Sequence, residues 1–217
     1  MIPGGLFITF EGPEGSGKST HSRRLCAELA ADGYEVLHTA EPGGTPLGRK
    51  IRDILLEKDD IRLGREAELL LFEADRAQHV ADVIVPALES GKVVVCDRFN
   101  TATAAYQGYG LGMDMGLIDT VDAIATGGLC PDLVILLDID VGKGLARATS
   151  GRGGDRMEKR DLRFHEDVRK GYLAMAEKFP DRIKVIKVSG DIDRTYDLVR
   201  KEAYDLFARY KGAGQRR

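Results

Sequence analysis

The sequence has few of the features that mark secreted, membrane-bound or nucleic-acid-binding proteins. It has only three cysteines, Cys26, Cys96 and Cys130, and they show neither CxxC spacing nor an even count. We therefore expect reduced, structural thiols in a cytoplasmic protein rather than a disulfide framework. The longest unbroken aliphatic run, Leu133–Leu137, is far too short to span a bilayer.

A broad basic surface and a targeting segment are also missing. The formal net charge is −3, so we do not expect a nucleic-acid polymer as a partner. The first residues combine no basic stretch with a long apolar one, which argues against a signal peptide. A chain of 217 residues fits a single domain, 1–217, with at most a small appended lid.

Short apolar runs alternate with helical patterns along the chain, which predicts an α/β fold with a parallel sheet covered on both faces. A lid over about residues 149–160, glycine- and arginine-rich, is expected to be mobile, and a tail over 212–217 to be disordered. Gly108–Gly112 is predicted to be a loop. The predicted strands are Leu6–Phe10, Glu35–His38, Val93–Cys96, Leu133–Leu137 and Lys184–Val188; the predicted helices are Lys18–Ala31, Leu47–Leu56, Glu66–Leu88 (disturbed near its end by Pro86), Asp114–Ala125, Arg163–Lys178 and Ile192–Tyr210.

A phosphate-binding loop is the strongest motif. Residues 12–19, GPEGSGKS, follow a predicted strand and open a predicted helix. Glycines in this pattern let successive backbone N–H groups surround phosphate oxygens, and the helix adds its positive end. Lys18 is expected to reach the β- and γ-phosphates, and the Ser19 hydroxyl to ligate Mg²⁺. The motif indicates a nucleoside triphosphate but leaves the reaction open.

Two classes of protein fit such a loop: a GTPase-type switch and an enzyme that passes the γ-phosphoryl group to a second substrate. A guanine reader of the form Asn-Lys-x-Asp is excluded, because the single asparagine, Asn100, is followed by Thr101. No aspartate has a glycine three places on, so a DxxG switch segment is missing as well. Both absences favour the phosphotransferase.

Residues that could bind the second substrate, the phosphoryl acceptor, lie in two further segments. Asp97 and Arg98 follow the buried strand VVVC, at the strand end where ligands collect in parallel sheets. The carboxylate could hold Mg²⁺ or orient a nucleophile, and the guanidinium could bind a phosphate. Phe72 and Arg76 are four residues apart, so an aromatic plate and a donor share one helical face. They could stack and read a base, although a core phenylalanine and a solvated arginine would look the same.

Five motifs follow one another along the chain: EGPEGSGKST at 11–20, EPGGT at 41–45, LF at 71–72 with Arg76, DRF at 97–99 and AYQG at 105–108. In this order they resemble the bacterial thymidylate kinases. The resemblance implies a nucleoside monophosphate kinase fold with a five-stranded parallel sheet, transfer of phosphate from Mg-ATP to dTMP, and a homodimer. The alternatives are a pyrimidine kinase that also accepts dUMP and, much further off, a P-loop protein that only binds nucleotide.

The resemblance also implies roles for individual residues. Phe72 would stack on thymine, Arg76 would donate to its O4, and Tyr106 would crowd the 2′ carbon of the sugar. Catalytic roles fall to Lys18, Asp97, Arg98, Arg152 and Arg156, and the metal would be held by Ser19 and Asp97. ATP would be bound by Gly12, Pro13, Glu14, Gly15, Ser16, Gly17, Lys18, Ser19, Thr20 and Arg147; dTMP would be bound by Glu14, Glu41, Arg52, Phe72, Arg76, Arg98, Thr103, Tyr106 and Gln107.

Glu14 is unexpected, because it places a carboxylate inside a loop that holds a polyanion. The resemblance implies that it accepts a hydrogen bond from the 3′-OH of the acceptor sugar, and we expect the basic lid to offset its charge. The P-loop contains no arginine, so the lid would supply the transfer-stabilising cation from Arg152 or Arg156. The chain departs from the common family pattern at Ala40, where an arginine often precedes EPGGT, and in a lid that is about one residue shorter.

Overall fold

The computed structural model describes residues 5–56, 62–150 and 154–214, with the backbone alone for 211–214. Its strands are β1 (Leu6–Glu11), β2 (Val36–Ala40), β3 (Val93–Asp97), β4 (Leu133–Asp138) and β5 (Ile183–Lys187). Its α-helices are α1 (Lys18–Ala31), α2 (Pro46–Leu56), α3 (Arg65–His79), α4 (Val85–Glu89), α5 (Asn100–Thr103), α6 (Met115–Thr126), α7 (Val141–Thr149), α8 (Leu162–Lys178) and α9 (Ile192–Gly214).

The five strands form one parallel sheet in the order β2-β3-β1-β4-β5, which confirms the predicted α/β fold. β1 and β3 are entirely buried, as their unbroken apolar runs predicted. Because β1 and β3 are neighbours, their carboxyl ends place the P-loop beside Asp97. The same edge receives the end of β2, where Ala40 pairs with Asp97.

Apolar side chains fill both faces of the sheet. On one face, Leu25 and Leu29 of α1 and Phe207 of α9 pack against β1. On the other face, Val134 and Leu136 of β4 pack against α8. Burying each such side chain contributes roughly 1.5–3 kcal/mol, and the two layers together make a rigid base for the loops at the carboxyl edge. Cys26, Cys96 and Cys130 are free thiols.

The long predicted helix Glu66–Leu88 is divided in the structure. α3 ends at His79, residues Val80–Ile84 form a π-helical turn, and α4 follows with Pro86 in its first turn. Proline has no N–H to donate to the carbonyl of residue 82, and the wider π turn just before it accommodates that loss. Pro86 therefore disturbs this helix as expected, but the irregular turn lies upstream of the proline.

The prediction of a loop at Gly108–Gly112 was wrong over its first three residues. α5 continues as a π-helix over Ala104–Gly110, in which Gly108 and Gly110 serve close packing, and the turn is confined to Leu111 and Gly112. A Cβ on Gly108 would lie 2.4 Å from the sulfur of Met115, and one on Gly110 would lie 2.6 Å from the ring of Phe164. The helical segment therefore approaches α6 and α8 more closely than a larger residue would allow.

α7 was not predicted, because it contains two glycines within nine residues. Gly144 explains one of them: a Cβ there would lie 2.3 Å from the carbonyl oxygen of Glu14. Gly15 makes the reciprocal approach, since its Cβ would lie 2.0 Å from the carbonyl oxygen of Gly144. The P-loop and α7 thus meet backbone to backbone.

The lid and the tail are described in part. Asp155 closes a turn by accepting hydrogen bonds at 2.9 Å from the N–H groups of Met157 and Glu158. Residues 151–153, including Arg152, lie outside the described residues. α9 runs on to Gly214, so the backbone is helical at the start of the predicted tail, and residues 215–217 are outside the description. No helix in the described part of the chain has the length and apolar content needed to cross a membrane.

Candidate active site

A cavity of about 920 Å³ opens at the carboxyl edge of the sheet and brings together most of the predicted site residues. Predicted residues that line it are Glu14, Gly15, Gly17, Lys18, Ser19, Thr20, Glu41, Arg52, Phe72, Arg76, Asp97, Arg98, Thr103, Tyr106, Gln107 and Arg147. Gly12, Pro13 and Ser16 belong to the same loop without lining the cavity. Arg156 is half-buried and is not among the residues that line the cavity.

The P-loop wraps around the ammonium group of Lys18. Lys18 Nζ donates to the carbonyl oxygens of Gly12 and Pro13, both at 2.9 Å. Gly17 precedes α1 with a φ of 94°, a conformation that L-residues with a side chain rarely adopt. Burial and the charge of Arg98 lower the pKa of Lys18 to about 8, while the carboxylates of Glu14 and Asp97 act in the opposite direction.

The Ser19 hydroxyl donates a short hydrogen bond to Oδ2 of Asp97. This contact joins the first turn of α1 to the end of β3, and both residues line the cavity. A hydroxyl and a carboxylate side by side are the hard oxygen donors that Mg²⁺ takes from proteins when phosphates and water complete its shell. The two residues therefore fit the predicted metal site.

Glu14 faces the acceptor side of the cavity, which is the side lined by Phe72, Arg76 and Arg98. Arg98 offsets the charge of Glu14. Arg98 Nη2 donates to Glu14 Oε1 at 2.7 Å, and the hydroxyl of Tyr106 donates to the same oxygen at 2.6 Å. Burial by itself would raise the pKa of Glu14, but the charges of Arg98 and Lys18 and the Tyr106 hydrogen bond lower it to about 2. The lid was expected to offset this charge, but among the described residues the partners of Glu14 are Arg98, directly after β3, and Tyr106, in the helical segment that follows.

Arg98 is held in a specific and costly conformation. Its φ of 73° is left-handed, and it is the one non-glycine residue of the described chain with a positive φ. Its guanidinium lies 5.0 Å from the centre of the Tyr106 ring and donates at 3.4 Å to the hydroxyl of Tyr172. Burial opposes its charge, yet Glu14 and the two tyrosines raise its pKa well above the usual value, so Arg98 stays a cation.

Arg76 is a buried charge, so its interpretation as a solvated arginine is excluded. Its Nε donates to Glu41 at 3.0 Å, and its Nη1 donates to Thr103 at 2.9 Å and, over a shorter distance, to Glu73. His79 Nδ1 donates to the other oxygen of Glu41 at 2.8 Å. Burial opposes the charged form of Arg76, but the surrounding carboxylates raise its pKa. Phe72 lies one turn before Arg76 on α3 and also lines the cavity.

The segment EPGGT folds as a bend that supports the acceptor side. The Glu41–Pro42 peptide bond, whose isomer the sequence left open, is cis. Arg52 Nη1 donates to the carbonyl oxygen of Pro42 at 2.7 Å, which holds the guanidinium at the cavity wall. Gly43 N–H donates to Asp75 Oδ1 at 3.0 Å, and burial and the charge of Glu41 raise the pKa of Asp75 to about 6.

Several residues of the site were missed by sequence reasoning. Glu11, at the end of β1, is fully buried and accepts from the N–H of Phe99 at 2.7 Å and from the hydroxyl of Tyr172 at 2.9 Å. A carboxylate at the carboxyl end of a buried strand was the signal that could have identified it. Tyr172, Glu73 and His79 lie on helices and gave no comparable signal, because only the tertiary fold turns them toward the site.

Comparison with known proteins agrees with this geometry. A family model for thymidylate kinase matches residues 10–199. The thymidylate kinase of Geobacter sp. strain M21 is 49% identical over 90% of this chain and 89% of its own, and that of Halothermothrix orenii is 49% identical over 92% and 95%. The crystal structure of thymidylate kinase from Ehrlichia chaffeensis superposes with a TM-score of 0.77 at 37% identity and covers 93% of this chain and 100% of that one.

The burial of Glu11 leads to a prediction on stability. Burial raises the pKa of Glu11 to about 7, against the opposing effects of Arg98, Phe99 and Tyr172. The folded protein therefore keeps this proton to higher pH than the unfolded chain, so the stability it contributes is lost as pH rises from about 4.5 to 7. The Glu11→Gln variant should gain on the order of 3 kcal/mol relative to the wild type across that range.

Urea unfolding at a series of pH values measures this difference. Glu177→Gln, which changes an exposed carboxyl on α8, is the control and should follow the wild-type curve. A difference between Glu11→Gln and the wild type that stays constant from pH 4.5 to 7 would contradict the assignment.

Proposed function

The chain belongs to the thymidylate kinase family, and from that premise we propose that it transfers the γ-phosphoryl group of Mg-ATP to the phosphate of dTMP within the cavity described above. Members of this family are nucleoside monophosphate kinases, a class of phosphotransferases. The observation that carries the proposal is the contact of Glu14 with Arg98 and Tyr106, because it joins the ATP-binding loop to the acceptor side of one cavity.

The donor nucleotide would lie over the P-loop. Backbone N–H groups from 12–19 surround its phosphates, and the N-terminus of α1 adds a favourable dipole. Lys18 binds the β- and γ-phosphates by exchanging its contacts to loop carbonyls for phosphate oxygens. Arg147, exposed on α7 at the cavity wall, packs on the adenine. Ser19 and Asp97 would hold the Mg²⁺, which would supply positive charge to offset that of the phosphates during transfer.

The acceptor would lie between α3 and the segment that follows β3. Phe72 stacks on the base, and Arg76, Thr103 and Gln107 line its edge. Arg98 and Arg52 bind the phosphate, where a fork of donors suits its oxygens. Tyr106 occupies the space next to the 2′ carbon, so a ribonucleotide is disfavoured sterically. Glu14 accepts from the 3′-OH with the oxygen capacity that Arg98 and Tyr106 leave.

In-line transfer needs the two phosphates to approach while their charges repel. Lys18 and Arg98 are the cations at this point of the cavity, and a fixed guanidinium in a site of low polarity stabilises charge that develops in the transition state. The lid would add a further arginine, Arg152 or Arg156, and would exclude water that could otherwise accept the phosphoryl group. We place the reaction in the cytoplasm.

The test of the reaction is ADP release from Mg-ATP with dTMP, dUMP, UMP, CMP, AMP and GMP offered separately at equal concentration. We expect the rate to be greatest for dTMP, with dUMP second, because the C5 methyl group contributes only about 1–3 kcal/mol in an apolar site. UMP should be poorer than dUMP because of Tyr106. A flat profile, or one that favours purines, would contradict the assignment of the acceptor, and UMP above dUMP would contradict the role of Tyr106.

Replacement of Glu14 should separate the two substrates. In Glu14→Ala the anchor of Arg98 and Tyr106 is lost together with the acceptor for the sugar hydroxyl. We expect KM for dTMP to rise about 10- to 100-fold, the value of one or two charge-assisted hydrogen bonds, and KM for ATP to change by less than about threefold. Steady-state kinetics with each substrate varied in turn measures this. Equal changes in both KM values would show that Glu14 serves the P-loop as a whole.

We also propose a homodimer formed through α3 and α6. These helices pack on each other through Leu69 and Ile118, yet on their outer sides Leu70, Leu117 and Ile124 are 57%, 45% and 77% exposed. Exposed apolar side chains on two helices that pack together are typical of a surface that a second copy covers.

Sedimentation equilibrium tests the dimer. Ile124→Asp would bury a charge in the interface and should shift the protein toward monomer by at least about tenfold in the dissociation constant. Leu198→Asp, which changes a residue 44% exposed on α9, is the matched control and should leave the association unchanged. A wild-type protein that is monomeric at micromolar concentration would overturn the proposal.

A further inference from the structure

Glu68 lies behind the acceptor side of the cavity without lining it. It is on α3, one turn before Phe72 and two turns before Arg76, so all three face the same way. Its side chain is only 3% exposed. A carboxylate buried this deeply is costly unless each oxygen has a partner, and both oxygens of Glu68 do.

The first partner is the amide of Gln107, which is buried and lines the cavity. Gln107 Nε2 donates to Glu68 Oε1 at 3.0 Å. An ionised carboxylate can only accept, so the amide must turn its NH₂ toward Glu68 and its carbonyl oxygen to the opposite side. Glu68 therefore decides which of the two chemically different ends of the Gln107 amide is available to a ligand.

The second partner comes from the lid. Arg160 Nη2 donates to Glu68 Oε2 at 2.5 Å, and its guanidinium lies 4.7 Å from the centre of the Phe164 ring. Arg160 follows the turn that contains Asp155, Met157 and Glu158, three residues that line the cavity. The ion pair gives Oε2 of Glu68 a charged donor and ties this turn to α3.

We propose that Glu68 is a positioning residue that fixes the Gln107 amide so that its carbonyl oxygen meets the base of the acceptor. This inference rests on the proposed function. A carbonyl oxygen at this place accepts from the N3–H of an imide base such as thymine or uracil. It repels the N3 of cytosine, which is itself an acceptor. Through Arg160, the same carboxylate fixes the position of the end of the lid relative to Gln107.

The experiment compares kcat/KM for dTMP and dCMP in the wild type and in Glu68→Gln. A glutamine at 68 is nearly isosteric but can donate as well as accept, so the Gln107 amide becomes free to reverse. We expect the dTMP/dCMP ratio of kcat/KM to fall about tenfold or more, mainly through KM for the acceptor, with KM for ATP changed less than about threefold. Glu66→Gln, an exposed carboxylate on the same helix, is the matched control and should keep the wild-type ratio.

Two further variants separate positioning from simple destabilisation. Arg160→Gln removes the ion pair between the lid and Glu68 but leaves Gln107 bonded to Glu68. The dTMP/dCMP ratio of kcat/KM should therefore change less than about threefold, while ADP release without an acceptor rises. In a Gln107→Ala background, Glu68→Gln should have no further effect on the ratio, because the residue through which it acts is gone. If Glu68→Gln does not fold, Glu68→Asp replaces it, because aspartate keeps the charge but has a shorter reach. Glu68→Asp should also lower the dTMP/dCMP ratio of kcat/KM.

The outcomes distinguish this inference from the proposed function. A wild-type protein that does not phosphorylate dTMP would overturn the function itself. A wild-type protein that prefers dTMP, with Glu68→Gln lowering kcat/KM for both acceptors by the same factor, would leave the function intact and overturn the positioning role. A further fall in the dTMP/dCMP ratio when Glu68→Gln is added to the Gln107→Ala background would also overturn it, since Glu68 would then act by another route.

Discussion

The contact between Glu14 and Arg98 is the interaction on which the site depends. It joins a loop built to surround the phosphates of a donor to the residue that follows β3, the neighbour of the central strand β1, and Tyr106 reinforces it from the next helix. Arg98 adopts a left-handed backbone to reach this place, a conformation that costs on the order of 1–3 kcal/mol outside glycine. The surrounding network offsets that cost and holds the cation where two substrates would meet.

The charges around the acceptor side are also held by partners from other elements, and they are more deeply buried. Arg76 is enclosed by Glu41, Glu73 and Thr103, and Glu68 is enclosed by Gln107 and Arg160. Removing one partner of a buried pair leaves an uncompensated charge, which costs about 3–5 kcal/mol. Such networks stabilise the fold weakly but define the directions of their donors and acceptors strictly. A surface that distinguishes one base from another depends more on fixed directions of its donors and acceptors than on added stability.

The sequence predicted the strands well because each is a short apolar run buried on both faces, and the parallel order followed from their alternation with helices. It failed where glycine has a packing role. Gly108 and Gly110 were predicted to lie in a loop and the helix around Gly144 was not predicted, yet each of these glycines allows a helix to approach a neighbour or the P-loop closely. Local composition cannot distinguish a glycine that bends the chain from one that admits another backbone, because the difference lies in the neighbour.

The motifs by themselves determined the class of protein, the phosphate-binding loop and most residues that line the cavity, since the backbone geometry of a P-loop and of a strand end is set locally. Only the tertiary structure decided what those residues face. It showed that Arg98 pairs with Glu14, that Arg76 is buried, and that Glu11 and Glu68 are buried carboxyl groups with partners from distant parts of the chain. These contacts join residues from distant parts of the chain, so only the packing of helices against the sheet could bring them together.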